Sequence, residues 1–216
     1  MSHSKYASTP QTTNLARISR LILGPCADVM RDVLLKEIPA TDLSKAVKTW
    51  LKTQKRNPLN VSQTELIFPP PSKIYTGDYS NLDITLLYTL LRNVTKLPAH
   101  NQGWGNDPDP TDRSVSASME RIRFIRNKHY GHAVDIGIPD VDFQLECMNI
   151  RKIAEDVDIC FGVSKHQQSV DFIKTEKMDP QQEIKWIKKL TILESLVSDV
   201  EQNAEEIQKL KGKSSY

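Results

Sequence analysis

Apolar residues recur at intervals of three and four along most of this chain, which is the spacing of one face of an α-helix. The first run starts near Asn14 and continues to about Ile38, and Gly24-Pro25 interrupts it, so we expect one kinked helix. A second helix is expected between Thr41, whose hydroxyl can cap it, and Pro58, before which it must end. Strand-like alternation of apolar and polar residues is missing, so the pattern predicts an all-α protein.

The middle of the chain combines short segments with one strong helix. Ser62-Gln63-Thr64-Glu65 has the pattern of a capping box, but the prolines that begin at Pro69 limit that helix to about one turn. Residues 82–94 are apolar on nearly every side, which is typical of a central core helix surrounded by neighbours. Residues 97–113 contain three prolines and two glycines and are expected to form a long loop.

Three further helices are predicted after this loop. An amphipathic helix begins at Ser114 and should end at Gly131, and another begins near Asp140. A third begins at Asp179-Pro180, where the aspartate can cap and the proline can take the first helical position. It continues in a heptad pattern, which predicts a coiled-coil-like helix and a homodimer. The heptad positions are Trp186, Leu193, Leu196, Val200, Asn203, Ile207 and Leu210.

These patterns divide the chain into four parts. Residues 1–13 are rich in Ser, Thr and Gln and are expected to be a disordered tail. Residues 14–178 should form the helical domain, 179–211 the coiled-coil-like helix, and 212–216 a short tail. The chain has 216 residues, which is enough for one substantial hydrophobic core.

Composition narrows the class of protein further. Neither a secretory signal nor an apolar run long enough to span a membrane is present, so we expect no membrane partner. Cys26, Cys147 and Cys160 lie far apart and fit neither a zinc site nor a disulfide framework. We therefore expect buried thiols in a reducing, cytoplasmic compartment, and neither a metal nor another cofactor.

Charge is concentrated between positions 113 and 132. The whole chain has a net charge of only +2, but this segment carries five basic residues and one acid, Glu120. Guanidinium groups match phosphate oxygens, so the segment is a candidate RNA-binding surface. Its predicted RNA-binding residues are Arg113, Arg121, Arg123, Lys128 and His129.

The end of this segment carries a candidate for catalysis. An imidazole can move the proton of a ribose 2′-hydroxyl, and a guanidinium can stabilise a charged phosphorane, so Arg126 and His132 suffice for cutting RNA without metal. At about 100° per residue the two side chains would lie on different helical faces, unless Gly131 ends the helix and lets the chain fold back. His129 shares the helical face of Arg126 and is the competing candidate.

Four segments resemble one known family, over about Asn14 to Pro180. They are Asn14-Leu15-Ala16-Arg17 with Arg20-Leu21, the connector Leu66-Ile67-Phe68-Pro69-Pro70, the helix Leu82-Asp83-Ile84-Thr85-Leu86-Leu87-Tyr88-Thr89-Leu90-Leu91-Arg92-Asn93, and Arg126-Asn127 with Gly131-His132. The chain is similar to the HEPN domain (higher eukaryotes and prokaryotes nucleotide-binding) of the DAZ-interacting zinc-finger ubiquitin ligase-like variety. The resemblance implies an all-helical bundle that often forms dimers, in which Arg-x4-6-His motifs of two protomers face one cleft.

In catalytic relatives that cleft cleaves RNA without metal and leaves a 2′,3′-cyclic phosphate. The resemblance assigns the motif arginine to Arg126, the polar residue after it to Asn127 and the motif histidine to His132. Two functions remain open. One is an RNA-binding module with metal-independent endoribonuclease activity in a dimer. The other is a non-catalytic module for protein interaction or dimerisation, in a signalling or innate-defence protein, in which these three residues only stabilise the helix end.

Overall fold

The computed structural model describes residues 9–69, 79–130 and 137–192, and these residues form helices and loops without a β-strand. The chain starts with α1 (Pro10–Leu21), passes through one π-helical turn (Ile22–Cys26) and continues as α2 (Ala27–Glu37). The π-helical turn contains Gly24-Pro25, because a proline cannot donate the backbone hydrogen bond of a regular α-helix. The kinked helix expected from the sequence is confirmed.

The predicted start of this helix is four residues too late. Thr9 caps α1 by accepting a hydrogen bond from the backbone of Thr12, whose own hydroxyl accepts one from the backbone of Thr9. The apolar periodicity begins only at Leu15, so it gave no sign of this polar first turn.

Two short helices precede the core helix. A 3₁₀ turn (Ala40–Asp42) leads into α3 (Leu43–Leu51), and the side chain of Thr41 does not cap it as expected. In α4 (Val61–Ile67) the capping box is formed by Asn60 and Gln63 rather than by Ser62 and Glu65. Both corrections move the helix start by one or two residues, which leaves the order of elements unchanged.

The apolar run near position 90 forms α5 (Ile84–Asn93), capped by Asp83, whose carboxylate accepts hydrogen bonds from two backbone amides. This helix packs against α2 and α6, and its four central leucines have no exposed surface. These are Leu86, Leu87, Leu90 and Leu91. The prediction of a central core helix is confirmed.

The second half of the chain adds α6 (Val115–Tyr130), α7 (Asp140–Phe161), α8 (Lys165–Thr175) and α9 (180–192). Helix α7 packs against α1, α6 and α8. The backbone amides of Gln181 and Gln182 donate to Asp179, which confirms the predicted cap of α9. Helix α8 was not predicted. The expected heptad seam beyond position 192 lies outside the described residues.

The cysteine prediction is partly wrong. Cys26 and Cys147 are buried thiols, and burial raises the pKa of Cys26 to about 12 and that of Cys147 to about 11. Cys160 is exposed near the end of α7, because its position falls off the buried stripe of that helix. Within the described residues, no helix is long and apolar enough to cross a membrane.

A buried histidine joins three helices. His166 of α8 places Nδ1 2.6 Å from Oδ1 of Asp158 in α7 and Nε2 2.9 Å from Oδ2 of Asp32 in α2. Asp158 also accepts the backbone N–H of Gln167 at 3.0 Å. Both His166 and Asp158 are buried, so each supplies the partner that the other needs in a region without solvent.

We expect His166→Ala to lower the free energy of unfolding by about 3 kcal/mol, because it leaves the carboxylate of Asp158 buried without its imidazole partner. The measurement is urea denaturation of the full chain, followed by circular dichroism. The control is Asp171→Ala, which breaks the exposed Arg151–Asp171 ion pair and should cost less than about 1 kcal/mol. Equal losses in the two variants would contradict a special role for the buried pair.

Candidate functional site at the end of helix α6

The motif arginine lies inside the bundle. Arg126 is 4% exposed, and its Nε and Nη2 donate to Oδ1 of Asn127 at 3.0 and 2.7 Å. Its Nη1 donates at 3.0 Å to Oγ1 of Thr85 on α5. Arg126 therefore links the end of α6 to the core helix, and Asn127 holds its guanidinium in a fixed orientation.

Two neighbouring residues of α6 bind one buried acid of α7. Nζ of Lys128 donates to Oε2 of Glu146 at 2.6 Å, and Nε2 of His129 lies 3.1 Å from the same oxygen. Burial by itself raises the pKa of the Glu146 carboxyl, but the hydrogen bonds from His129 and Lys128 outweigh it and hold the pKa below its usual value. His129 is thus part of the contact between α6 and α7.

The remaining predicted RNA-binding residues also have partners within the protein. Arg113 forms an ion pair with the buried carboxylate of Asp156. Arg121 donates from Nη2 to the backbone oxygen of Asp109 at 2.7 Å. Arg123 donates to Glu120 at 2.7 Å and to the backbone oxygen of Gly105 at 2.9 Å. The structure therefore brings these cations to acids and carbonyl groups of the protein itself, although the heads of Arg113 and Lys128 remain largely exposed.

Glu120 is a structural residue whose role the sequence did not reveal. It has no exposed surface, and it accepts hydrogen bonds from the hydroxyl of Tyr88, the backbone N–H of Gly105 and Nε of Arg123. Burial, together with this bond to Glu120, raises the pKa of Tyr88 to about 12. The only sign in the sequence was that Glu120 is the single acid within the basic segment.

The contacts of Glu120 fix the long loop between α5 and α6. Gly105 has a φ of +93°, a conformation that favours glycine, and it points its N–H at Glu120, 2.6 Å away. Trp104 packs edge to face against Tyr88, with 6.1 Å between the ring centroids. The loop is therefore folded onto α5 and α6, with Trp104 packed against Tyr88 of α5.

A cleft lies beside the basic segment. It has a volume of about 320 Å³ and is bounded by the 107–110 loop, α6 and α7. Arg121, Phe124 and Asn149 contribute to its lining. The described part of the chain contains no group of His, Cys, Asp or Glu side chains arranged to hold a metal ion.

The motif histidine is not part of this geometry. His132 and Gly131, which was expected to end α6, both lie outside the described residues. The assignments of Arg126, Asn127 and His132 as catalytic residues therefore stay predictions. What the structure adds is the environment of Arg126, whose buried guanidinium is held by Asn127 and by Thr85 of α5.

Comparison with known proteins identifies a family. The family model for DZIP3/hRUL138-like HEPN domains matches residues 37–185, which is more than two thirds of the chain. Neither the comparison with curated proteins nor that with solved structures gave a match.

We expect Arg126→Ala to lower the free energy of unfolding by about 2 kcal/mol, because Asn127 and Thr85 lose their partner and a cavity remains. Thr85→Val, which removes only the hydroxyl that accepts from Nη1, should cost about 1 kcal/mol. Arg92→Ala removes an exposed arginine and serves as the control. Denaturation midpoints of the three variants check this order, and an Arg126→Ala variant as stable as the control would contradict it.

Proposed function

The chain belongs to the DZIP3/hRUL138-like HEPN family, and on that basis we propose that it is a non-cleaving HEPN module that pairs with a second copy of itself through helix α7. The buried position of Arg126 supports the first half of this proposal. An arginine that contacts RNA must reach a phosphate, whereas this guanidinium is held by Asn127 and Thr85. In this proposal Arg126 and Asn127 stabilise the junction between α5 and α6.

The observation that carries self-association is an exposed apolar stripe on α7. The stripe runs through positions 141, 145, 148, 152, 155 and 159 of α7, which are alternately four and three residues apart. This is the heptad spacing of helices that pair side by side. The apolar members are Val141, Leu145, Met148 and Ile159, which are 79%, 55%, 63% and 68% exposed. Lys152 and Glu155 occupy the two positions between Met148 and Ile159. An apolar row of this length, with charges only at its middle, is typical of an interaction surface.

Charge indicates which partner fits this stripe. We consider two α7 helices that pair antiparallel about a two-fold axis passing between Ile153 and Ala154. Each residue then faces the residue of the second copy that lies equally many positions on the other side of this midpoint in the sequence. Lys152 then faces Glu155 of the second copy, and this ion pair occurs twice. Neither side chain has an ion-pair partner elsewhere in the part of the chain that the structure describes.

The apolar residues match in the same register. Met148 faces Ile159 of the second copy on either side of the charged layer. Leu145 reaches the end of the opposite helix, where Val163 is 43% exposed. In this one register the opposite charges of the two copies meet, and the central apolar side chains cover each other. The stripe is self-complementary, which a two-fold dimer requires.

We expect the full chain to dimerise at micromolar concentration, and Lys152→Glu and Glu155→Lys each to weaken dimerisation at least about tenfold, because each creates two like-charge contacts. An equimolar mixture of the two variants should dimerise again, since opposite charges then face each other in the heterodimer. Sedimentation equilibrium measures both effects. Lys177→Glu, the same charge change at an exposed position away from α7, is the control.

Three results would contradict this interface. The first is a wild-type chain that stays monomeric, and the second is a pair of variants that dimerise as well as the control. The third is a mixture that does not regain dimerisation. The third result would assign self-association to another surface, such as the heptad segment beyond position 192.

A second candidate function is metal-independent cleavage of RNA. The observation that favours it is the cleft beside α6, whose volume of about 320 Å³ accommodates a nucleotide and whose lining includes Arg121 and the ring of Phe124. The roles of the residues in this candidate function follow those in catalytic HEPN domains. Arg126, Asn127 and His132 are then the catalytic residues. Arg113, Lys128 and His129 are further RNA contacts.

The two candidates predict opposite results with labelled single-stranded RNA in excess EDTA. For a non-cleaving module we expect the RNA to stay intact with the wild-type chain, Arg126→Ala and His132→Ala, as judged by denaturing gel electrophoresis. Cleavage by the wild-type chain that is lost in both variants would instead establish the ribonuclease, provided that both variants give the wild-type circular dichroism spectrum.

A further inference from the structure

Helix α3 and the turn after it carry five basic side chains for which the described residues supply neither an ion pair nor a hydrogen bond. Between positions 43 and 64 the chain has five basic residues and no acid, whereas the remainder of the chain has a net charge of −3. All five are exposed, and they lie on α3 and the turn that follows it. These residues are Lys45, Lys48, Lys52, Lys55 and Arg56, and we call them the α3 basic surface.

The α3 basic surface differs from the basic segment of α6 in how its charges are used. From Arg113 to the end of α6, each cation has an acid or a carbonyl oxygen of the protein as its partner. The side chains of the α3 basic surface make neither an ion pair nor a hydrogen bond with any residue that the structure describes. They contribute little to holding the fold and are available to a ligand.

The spacing of the lysines makes a continuous row. Lys45, Lys48 and Lys52 are three and four residues apart, which places them on one face of the helix with neighbouring Cβ atoms about 5–6 Å apart. At 1.5 Å per residue the row is about 10 Å long, which equals three steps of a nucleic-acid strand at about 3.4 Å each. Lys55 and Arg56 extend the charge beyond the end of the helix.

We propose that the α3 basic surface binds the phosphate backbone of single-stranded RNA. Lysine ammonium groups act as point charges and do not read bases, so this binding is independent of sequence and strongly dependent on salt. The site is separate from the motif segment of α6 and does not depend on self-association through α7. It adds a binding activity that needs neither Arg126 nor His132.

The other face of α3 argues against an anionic membrane as the ligand. A basic helix that binds a membrane surface inserts its apolar face between the lipids. In α3 that face is used by the protein itself, because Leu43 and Val47 have no exposed surface. Ser44 further fixes the helix by donating a hydrogen bond to the backbone oxygen of Ile67 at 2.7 Å. Only the charged face is left for a ligand.

The test compares two triple variants of the full chain. The first replaces Lys45, Lys48 and Lys52 by Gln, and the matched control replaces three exposed lysines elsewhere, Lys177, Lys185 and Lys188, by Gln. The probe is a fluorescent 20-nucleotide single-stranded RNA of mixed sequence, and the readout is fluorescence anisotropy at several salt concentrations. Both variants lose the same net charge, so only the position of the charge differs.

We expect the α3 variant to lose at least about tenfold in affinity. The slope of log K against log salt should become shallower by about 2, since three phosphate contacts at about 0.7 each are removed. The control should stay within about twofold of the wild-type chain, with the same slope. Thermal melting should be unchanged in the α3 variant, because these lysines have neither an ion-pair nor a hydrogen-bond partner among the residues that the structure describes.

Further arms identify the ligand class. Polyglutamate and vesicles of phosphatidylserine and phosphatidylcholine are titrated under the same conditions. The proposal is overturned if the wild-type chain does not bind the RNA, if both triple variants lose equal affinity, or if vesicles or polyglutamate bind more tightly than RNA with the same dependence on the α3 lysines. Arg92→Ala, which removes an exposed arginine outside the α3 basic surface, should bind RNA like the wild-type chain.

Discussion

A carboxylate buried in a helical core is stable only where hydrogen-bond donors or a cation replace the water it has lost. The interior of this bundle contains several, and they lie where helices meet. Glu120 joins α6 to α5 and to the long loop, Glu146 joins α7 to α6, and Asp158 joins α7 to α8. Each junction depends on the donors that surround one acid.

This constraint explains why the basic residues around α6 are turned inward or tied to the surface of the protein. Arg123 pairs with Glu120, Lys128 and His129 pair with Glu146, and Arg113 pairs with Asp156. A positive segment in the sequence is thus largely neutralised in three dimensions by Glu120 of α6 itself and by Glu146 and Asp156 of α7. The lysines of α3 form no ion pair with any residue that the structure describes, so their charge remains available. The number of cations in a segment therefore indicates less about ligand binding than the number left without partners.

The sequence predicted those parts of the fold that depend on local spacing. The apolar runs of α5 and α7 and the cap at Asp179 were recognised, because each is defined by residues within one or two helical turns. Helix α8 was missed because its buried stripe consists of only His166, Val170 and Ile173, and a histidine on such a stripe gives no apolar period.

The candidate site could be predicted only in part for the same reason. Arg126 and Asn127 are adjacent in sequence and were recognised together. The partners that define their environment are distant, since Thr85 is 41 residues from Arg126, Glu146 is 17 residues from His129, and Asp156 is 43 residues from Arg113. No spacing rule connects residues this far apart, so the burial of the arginine followed only from the packing of α5 against α6.

The proposed self-association and the proposed RNA binding reinforce each other. Helix α3 is not among the elements that pack extensively against α7, so we expect a second copy paired along α7 to leave both α3 surfaces of the dimer open. A strand long enough to reach both surfaces binds the second one at a raised effective concentration, which increases affinity without any new contact. A weak surface that does not read the bases therefore favours long strands over short ones. This preference follows from the two-fold symmetry of the dimer and needs no catalytic group.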